Sequence, residues 1–220
     1  GSTEQHGPNG LIGTDAICAD AIARGVGDKA GALVAPVISV GIAGHHMAFT
    51  GTMTVTPSTL IRILNDYVDS LAAHGFERFF LLNGHGGNIA TVQAAFSEIH
   101  YRFWQAGKHN VRCKLLSWWE NPPVQKLWRE FYGDAEGSHA TASEVSVTRY
   151  LYPDDIKHAE LNPPIAPSSH FYGAADYRRR FADGRIGSNP GLSTIEHGKA
   201  LYDGAVEGIA PIYQAFLNEA

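Results

Sequence analysis

The chain is short of the features that announce whole classes of protein. It has two cysteines, Cys18 and Cys113, in 220 residues, too few to staple a domain of this size, so a reduced, cytoplasmic setting is expected. Charged residues make up only 18%, and 17 Lys and Arg against 22 Asp and Glu leave a net charge of −5. With no basic run, that balance argues against nucleic acid as a main partner. No stretch of about 18 uninterrupted apolar residues occurs, so no membrane-spanning helix is expected. A charged-then-apolar secretory leader is also missing from the start. No G-x-S-x-G elbow marks a serine nucleophile, neither cysteine has an evident local histidine, and no G-x-G-x-x-G or Walker loop marks a nucleotide site.

Against that lean charge count stand 11 histidines, in a chain whose 44% hydrophobic content is ordinary for a globular domain. The apolar pattern alternates between strand-like and helix-like segments. Residues 32–40 (ALVAPVISV) read as a buried strand, and 57–74 as a helix ended by Gly75. Residues 79–82 (FFLL) read as a second strand, followed by a helix from Asn88 as its cap to about 106. Residues 111–118 read as a third strand, 142–150 and 193–217 as helices, and the Pro-, Gly- and Ser-rich stretch 161–190 as irregular. This order predicts an α/β fold, a three-layer sandwich with a mainly parallel central sheet. Residues 1–220 read as a single domain. Gly1 opens straight into a polar loop with no strand feeding it, which leaves open a cropped N-terminus lacking the first strand.

Three clusters carry chemistry. In GSTEQHGPNGLIGTD, Glu4 and His6 are two apart and project to one side of an extended segment, and Asp15 lies in the same glycine-rich stretch. Such groups suit Zn²⁺ or Mn²⁺, although a solvated polar loop would look the same. In FFLLNGHGGN, His85 sits at the carboxyl end of a strand, where open α/β sheets form their ligand crevices. In SHATASEVS, His139 and Glu144 flank a helix start; the helix dipole alone accounts for Glu144 but not for His139. His46, in GHHMAFTGT, and Trp119, at a strand end, are softer candidates for substrate contact. Paired tryptophans such as Trp118 and Trp119 more often serve a core or an interface.

Taken together, EQHG followed by GTD, the H-x-x-F-x-G-T stretch at 46–52, NGHGGN, the late His-Ala-x-x-x-Glu-x-Ser and GSNPGLSTIEHGKAL resemble the creatininase family (creatinine amidohydrolase and its relatives). The match runs in order over nearly the whole chain. The resemblance implies two divalent metal ions per chain, zinc and/or manganese, with iron admissible. Glu4 and His85 would hold one ion, His6 and Glu144 the other, with Asp15 bridging. Creatininase itself carries a ligand glutamate at the position of Gly87, so Glu144 would have to supply that carboxylate here. This points toward a family member other than creatininase. Asn9, Thr50, Thr141 and Val145 also depart from the family pattern; these departures bear on which substrate is taken and leave the five implied ligands in place.

The implied activity is metal-dependent hydrolysis of a C–N amide bond by a hydroxide shared between the two ions. The substrate would be a cyclic amide, a formamide or a small peptide-like molecule. His139 would be the general acid, Glu144 would share in the catalytic site, and His46 and Trp119 would contact substrate. The family also implies a homo-oligomer, commonly a hexamer, with Trp104, Trp118, Trp128, Tyr172 and Tyr177 available for interfaces. The rival reading is a catalytically silent α/β domain that binds a metal or small ligand, and metal content separates the two.

Overall fold

The computed structural model describes residues 1–219. The apolar run RFFLLN forms strand β1 (Arg78–Asn83), and RCKLLS forms β2 (Arg112–Ser117). They pair in parallel, with Phe79 opposite Cys113 and Asn83 opposite Ser117. A parallel pair needs a crossover, here the helix α3 (Ile89–Gln105). The other helices are α1 (Thr14–Ala30), α2 (Pro57–Ala72), α4 (Pro122–Phe131), α5 (Ala142–Leu151), α6 (Gly173–Arg180) and α7 (Ile195–Leu217).

Side chains of β1 alternate between two faces, and the alternation builds the layers. Phe79 and Leu81 pack with Val68 of α2 and with Ile99 and Phe103 of α3. Phe80 and Leu82 pack on the opposite face with Ile22 and Val26 of α1 and Leu201 and Ile209 of α7. The result is the expected α/β arrangement, helices on both faces of a parallel sheet. Helices α4 and α5 extend the second layer by packing on α7.

The sheet is smaller than the pattern predicts: among the described residues it has two strands. None of residues 32–40 is in a strand, and all are exposed or half-buried. Their β-branched run does face apolar surroundings. A cavity of about 500 Å³, lined among others by Val26, Ile38, Leu64, Leu82 and Tyr213, adjoins this segment and β1. Without a ladder partner its apolar pattern cannot make a strand. Gly1 also lines that cavity, and its amino group donates to the Ile38 carbonyl at 2.9 Å.

Three helices escape the sequence pattern. Helix α1 buries Ala16, Cys18, Ala19, Ile22 and Val26, a face built mostly of small residues rather than a conspicuous apolar stripe. Helix α4 starts at a Pro-Pro pair capped by Asn121, whose side chain accepts from the Val124 N–H. Helix α6 lies within the stretch expected to be irregular. Asn88 immediately precedes α3 but does not cap it. Its amide instead accepts from Ile42 N (2.9 Å) and donates to Gly1 O (3.0 Å), tying the loop after β1 to the N-terminal segment. Of the aromatics expected at interfaces, Trp118 and Tyr177 are buried within the subunit, whereas Trp104 and Tyr172 are exposed.

The irregular stretch is organised around Arg185, whose side chain is fully buried. Its Nε pairs with Asp183 at 2.8 Å, and its two Nη groups donate to the carbonyls of Pro163, Pro164 and Ser188. An uncharged side chain there would leave three carbonyls and a carboxylate without their donor. Arg185→Met is expected to cost about 1–3 kcal/mol in urea unfolding, the scale for leaving buried polar groups without their hydrogen-bond partner. An unchanged midpoint would show that the guanidinium does not organise this stretch.

Candidate metal centre

Three segments deliver the site. The first carries Glu4 and His6, beside a backbone bridge between Thr3 and Met53. It then turns into α1, whose first turn holds Asp15, where the helix N-terminus favours a carboxylate. The second is the end of β1, which passes Gly84 and presents His85. A Cβ on Gly84 would lie 2.2 Å from the Asp15 carbonyl oxygen, so the strand end and the helix start approach this closely only through a glycine. The third is the loop from Glu136 into α5, carrying His139 and Glu144.

Glu144 is fixed by a capping box. The Thr141 N–H donates to Glu144 Oε1 at 2.6 Å, and the Glu144 N–H donates to Thr141 Oγ1 at 3.2 Å. One carboxylate oxygen is thereby committed, and the other, Oε2, lies 3.9 Å from His6 Nε2. The turn before it is strained: Ala140 has φ +51°, a left-handed conformation for a residue with a Cβ.

Two overlapping triads result. Glu4, Asp15 and His85 form one, and His6, Asp15 and Glu144 form the other; each offers ligand atoms within 4.8 Å of one another, and all five residues are buried. The two histidines are arranged alike. His85 Nε2 donates to the Ile42 carbonyl at 3.0 Å and His6 Nδ1 to the Glu4 carbonyl at 3.2 Å. Each ring therefore turns its other nitrogen to the carboxylates, as metal-ligating histidines do. His85 Nδ1 lies 2.8 Å from Glu4 Oε1 and 2.7 Å from Asp15 Oδ2. Yet both oxygens are buried with no aligned hydrogen-bond donor. One N–H cannot point at two oxygens at once, whereas a cation among the three atoms satisfies all of them.

The electrostatics lead to the same conclusion. Burial alone would lower the His6 pKa, but Asp15, Glu144 and Glu4 raise it to about 10, and Asp15 and Glu4 likewise hold His85 well above the usual imidazole range. Burial and the nearby Asp15 push Glu4 up, burial lifts Glu144 to about 7, and the two imidazoles hold Asp15 well below the carboxylate range despite its burial. So many acids packed together, with only imidazoles to offset them, call for positive charge. Carboxylate and imidazole donors suit a divalent ion.

The remaining expected residues fall nearby. The His139 ring lies 4.6 Å from that of His6, and the buried His46 ring lies 4.3 Å from that of His139. His45 stacks on Phe171 at 5.3 Å. Trp119 is half-buried at the carboxyl end of β2, edge-on to Trp118 and against the core, and among the described residues no hydrogen bond joins it to the triads. Three residues beside the site are not marked as site residues by the sequence. Gln5 lies between Glu4 and His6, Tyr177, expected at an interface, packs 4.6 Å from the His46 ring, and Glu136 sits outside the recognisable motif. Position 87 also acquires a physical reading. A Cβ there would lie 2.4 Å from His85 Nε2 and 2.6 Å from the Ile42 oxygen, across the hydrogen bond that anchors His85.

The family model described as creatinine amidohydrolase matches residues 1–213. The chain belongs to the creatininase family. It is 30% identical to creatinine amidohydrolase of Pseudomonas putida over 227 residues, covering 96% of this chain and 85% of that one. It is equally 30% identical to the mycofactocin precursor peptide peptidase of Mycolicibacterium smegmatis, covering 96% of this chain and 80% of that one. The solved structure "Creatininase Mn" superposes with a TM-score of 0.86 at 25% identity, over 100% of this chain and 89% of that one. The creatininase-like α/β fold is therefore shared over the whole described length.

Two outcomes test the supports of the centre. Gly87→Ala should displace the His85 anchor and weaken Zn²⁺ binding by about 10–100-fold, the usual effect of losing an outer-shell partner, as read by competition with a chromophoric chelator; unchanged affinity would leave the anchor without a role. The second concerns Glu136, which accepts from the N–H and hydroxyl of Ser143 and whose pKa burial raises from 4.5 to about 7. The folded protein keeps that proton where the unfolded chain has released it, so the stability contributed by the protonated form is present below pH 4.5 and lost as pH rises toward 7. Glu136→Gln should remove that slope and make the variant more stable than the parent at pH 8 by up to about 3 kcal/mol. A parallel pH dependence in both proteins would contradict it.

Proposed function

We propose that this chain is a metal-dependent hydrolase of a C–N amide bond in a small molecule or at a peptide end. The observation that carries the reading is Asp15, a carboxylate common to two buried triads that each also hold one histidine and one glutamate. Glu4, Asp15 and His85 would hold one divalent ion and His6, Asp15 and Glu144 the second, zinc or manganese by ligand type, with iron also admissible. Ions bound there supply a water of lowered pKa and a positive charge for the carbonyl oxygen.

The chain's own residues do the rest. Burial and the adjacent His6 hold the His139 pKa well below the imidazole range, so it is neutral at pH 7. A neutral imidazole cannot begin as the acid. His139 instead takes the proton released from the attacking water and passes it to the leaving nitrogen, acting as a relay rather than a pre-charged donor. His46 borders the same space, and Trp119 supplies an apolar wall for a flat group. Gly87, which offers no carboxylate and has no room for one, argues against creatinine itself as substrate. Equal identity to a creatinine amidohydrolase and to a peptide peptidase favours a test panel spanning cyclic amides, formamides and short peptides. A homo-oligomer remains part of the reading, and the exposed Trp104 and Tyr172 are available to its contacts.

Elemental analysis should find about two Zn or Mn per chain, and His85→Ala should lose metal and hydrolysis while staying folded. Metal content unchanged by that substitution would remove His85 from the ligand set, and a metal-free parent inert on the whole panel would favour a silent binding domain. His139→Ala should keep its metal and lose turnover by about 10²-fold or more. Full activity in that variant would end the relay assignment.

A further inference from the structure

Gln5 separates Glu4 from His6 in the sequence, and its side chain meets both His46 and His139. Its closest hydrogen-bond partners are His46, His139, Gly184 and Gly7. The Gly7 N–H donates to Gln5 Oε1 at 2.7 Å, which fixes which end of the amide is oxygen. The Nε2 group has two hydrogens and three neighbours: Gly184 O at 3.1 Å, His46 Nδ1 at 3.0 Å and His139 Nε2 at 3.1 Å. His139 Nε2 also lies 2.9 Å from the Gln5 carbonyl oxygen, which can only accept. That nitrogen must therefore carry a hydrogen, and it cannot take one from the Gln5 amide. The two Gln5 hydrogens go to Gly184 O and His46 Nδ1.

The consequence is a fixed proton arrangement in both rings. His46 accepts at Nδ1, so in its neutral form it carries its hydrogen on Nε2. His139 carries its hydrogen on Nε2, which leaves Nδ1 as its open nitrogen. The His46 side chain is almost completely buried, at 1% exposure, yet among the described residues its Nε2–H has no acceptor. Nε2 is not one of the fully enclosed, unpartnered polar atoms, so a molecule bound beside the ring can reach it and supply the acceptor. Burial and the surrounding imidazoles of His139, His45, His6 and His85 push the His46 pKa down, so it remains a donor through the neutral range.

We propose that Gln5 is a positioning residue that locks His46 as a neutral Nε2–H donor to the substrate's carbonyl oxygen and leaves His139 Nδ1 as the atom that takes and returns the proton. The substrate role rests on the hydrolase reading above, whereas the tautomers do not. The donor would meet an oxygen that gains negative charge as the amide carbon becomes tetrahedral, where one such hydrogen bond contributes about 10²–10³ in kcat. The proton balance is closed: the attacking water gives a proton to His139 Nδ1, and that proton leaves with the amine.

Long-range ¹H–¹⁵N spectra of ¹⁵N-histidine-labelled protein with Zn²⁺, recorded from pH 6 to 8, read the tautomers directly. His46 should show a pyrrole-type Nε2 and a pyridine-type Nδ1, and His139 a pyrrole-type Nε2. A hydrogen on His46 Nδ1 in the parent overturns the proposal, and this spectrum requires no variant to fold and no substrate to be known. Gln5→Glu replaces the amide donor with an acceptor and should move the His46 hydrogen to Nδ1. On the best substrate of the panel it should lower kcat by about 10²-fold with little change in KM. A reversed tautomer with kcat intact would overturn the donor role, and an unreversed tautomer would overturn the positioning role. A parent with the stated tautomers but no hydrolysis would contradict the hydrolase reading and leave the Gln5 assignment standing.

Discussion

Three carboxylates and two imidazoles share one buried space, and Asp15 belongs to both halves of it. Charge of one sign is costly to hold away from water unless something of the other sign sits beside it. The local architecture is consistent with holding these groups in place until a cation arrives. Helix α1 turns its N-terminus toward Asp15, the α5 capping box takes one oxygen of Glu144 and leaves the other, and backbone carbonyls take one nitrogen of each histidine. Each device immobilises a side chain through atoms that the cation does not need.

Much of this was legible from residue types and spacing. Glu4 and His6 lie two apart in an extended segment, His85 follows a strand, and His139 and Glu144 flank a helix start, whereas the capping box that fixes Glu144 shows only in the structure. The layer order was legible too, because α2, β1, α3, β2 and α7 carry clear apolar periodicity. Helix α1 was not, since much of its buried face is alanine and close packing replaces a conspicuous stripe. Residues 32–40 misled for the opposite reason: composition gives the strand pattern, but a strand exists only with a ladder partner.

The groups around the ligands were less visible still. Gln5 occupies the position that alternation assigns to the other side of the segment from Glu4 and His6, and its partners lie 41 and 134 residues away. Only the folded arrangement shows that its amide sets the hydrogen positions of two rings. Glu136 is similar: nothing in EGSHA marks a carboxylate that folding buries beneath Ser143. Position 87 shows the converse. The sequence reveals a missing glutamate, and the structure gives the reason that a side chain there would collide with the His85 anchor.

The central claim is that Asp15 is shared between two cations. The most direct test is a crystal soaked in Zn²⁺ and measured at the zinc absorption edge. Two anomalous peaks per chain are expected, one contacted by Glu4 and His85, the other by His6 and Glu144, and both by Asp15. A single peak, or two peaks of which only one touches Asp15, would contradict it.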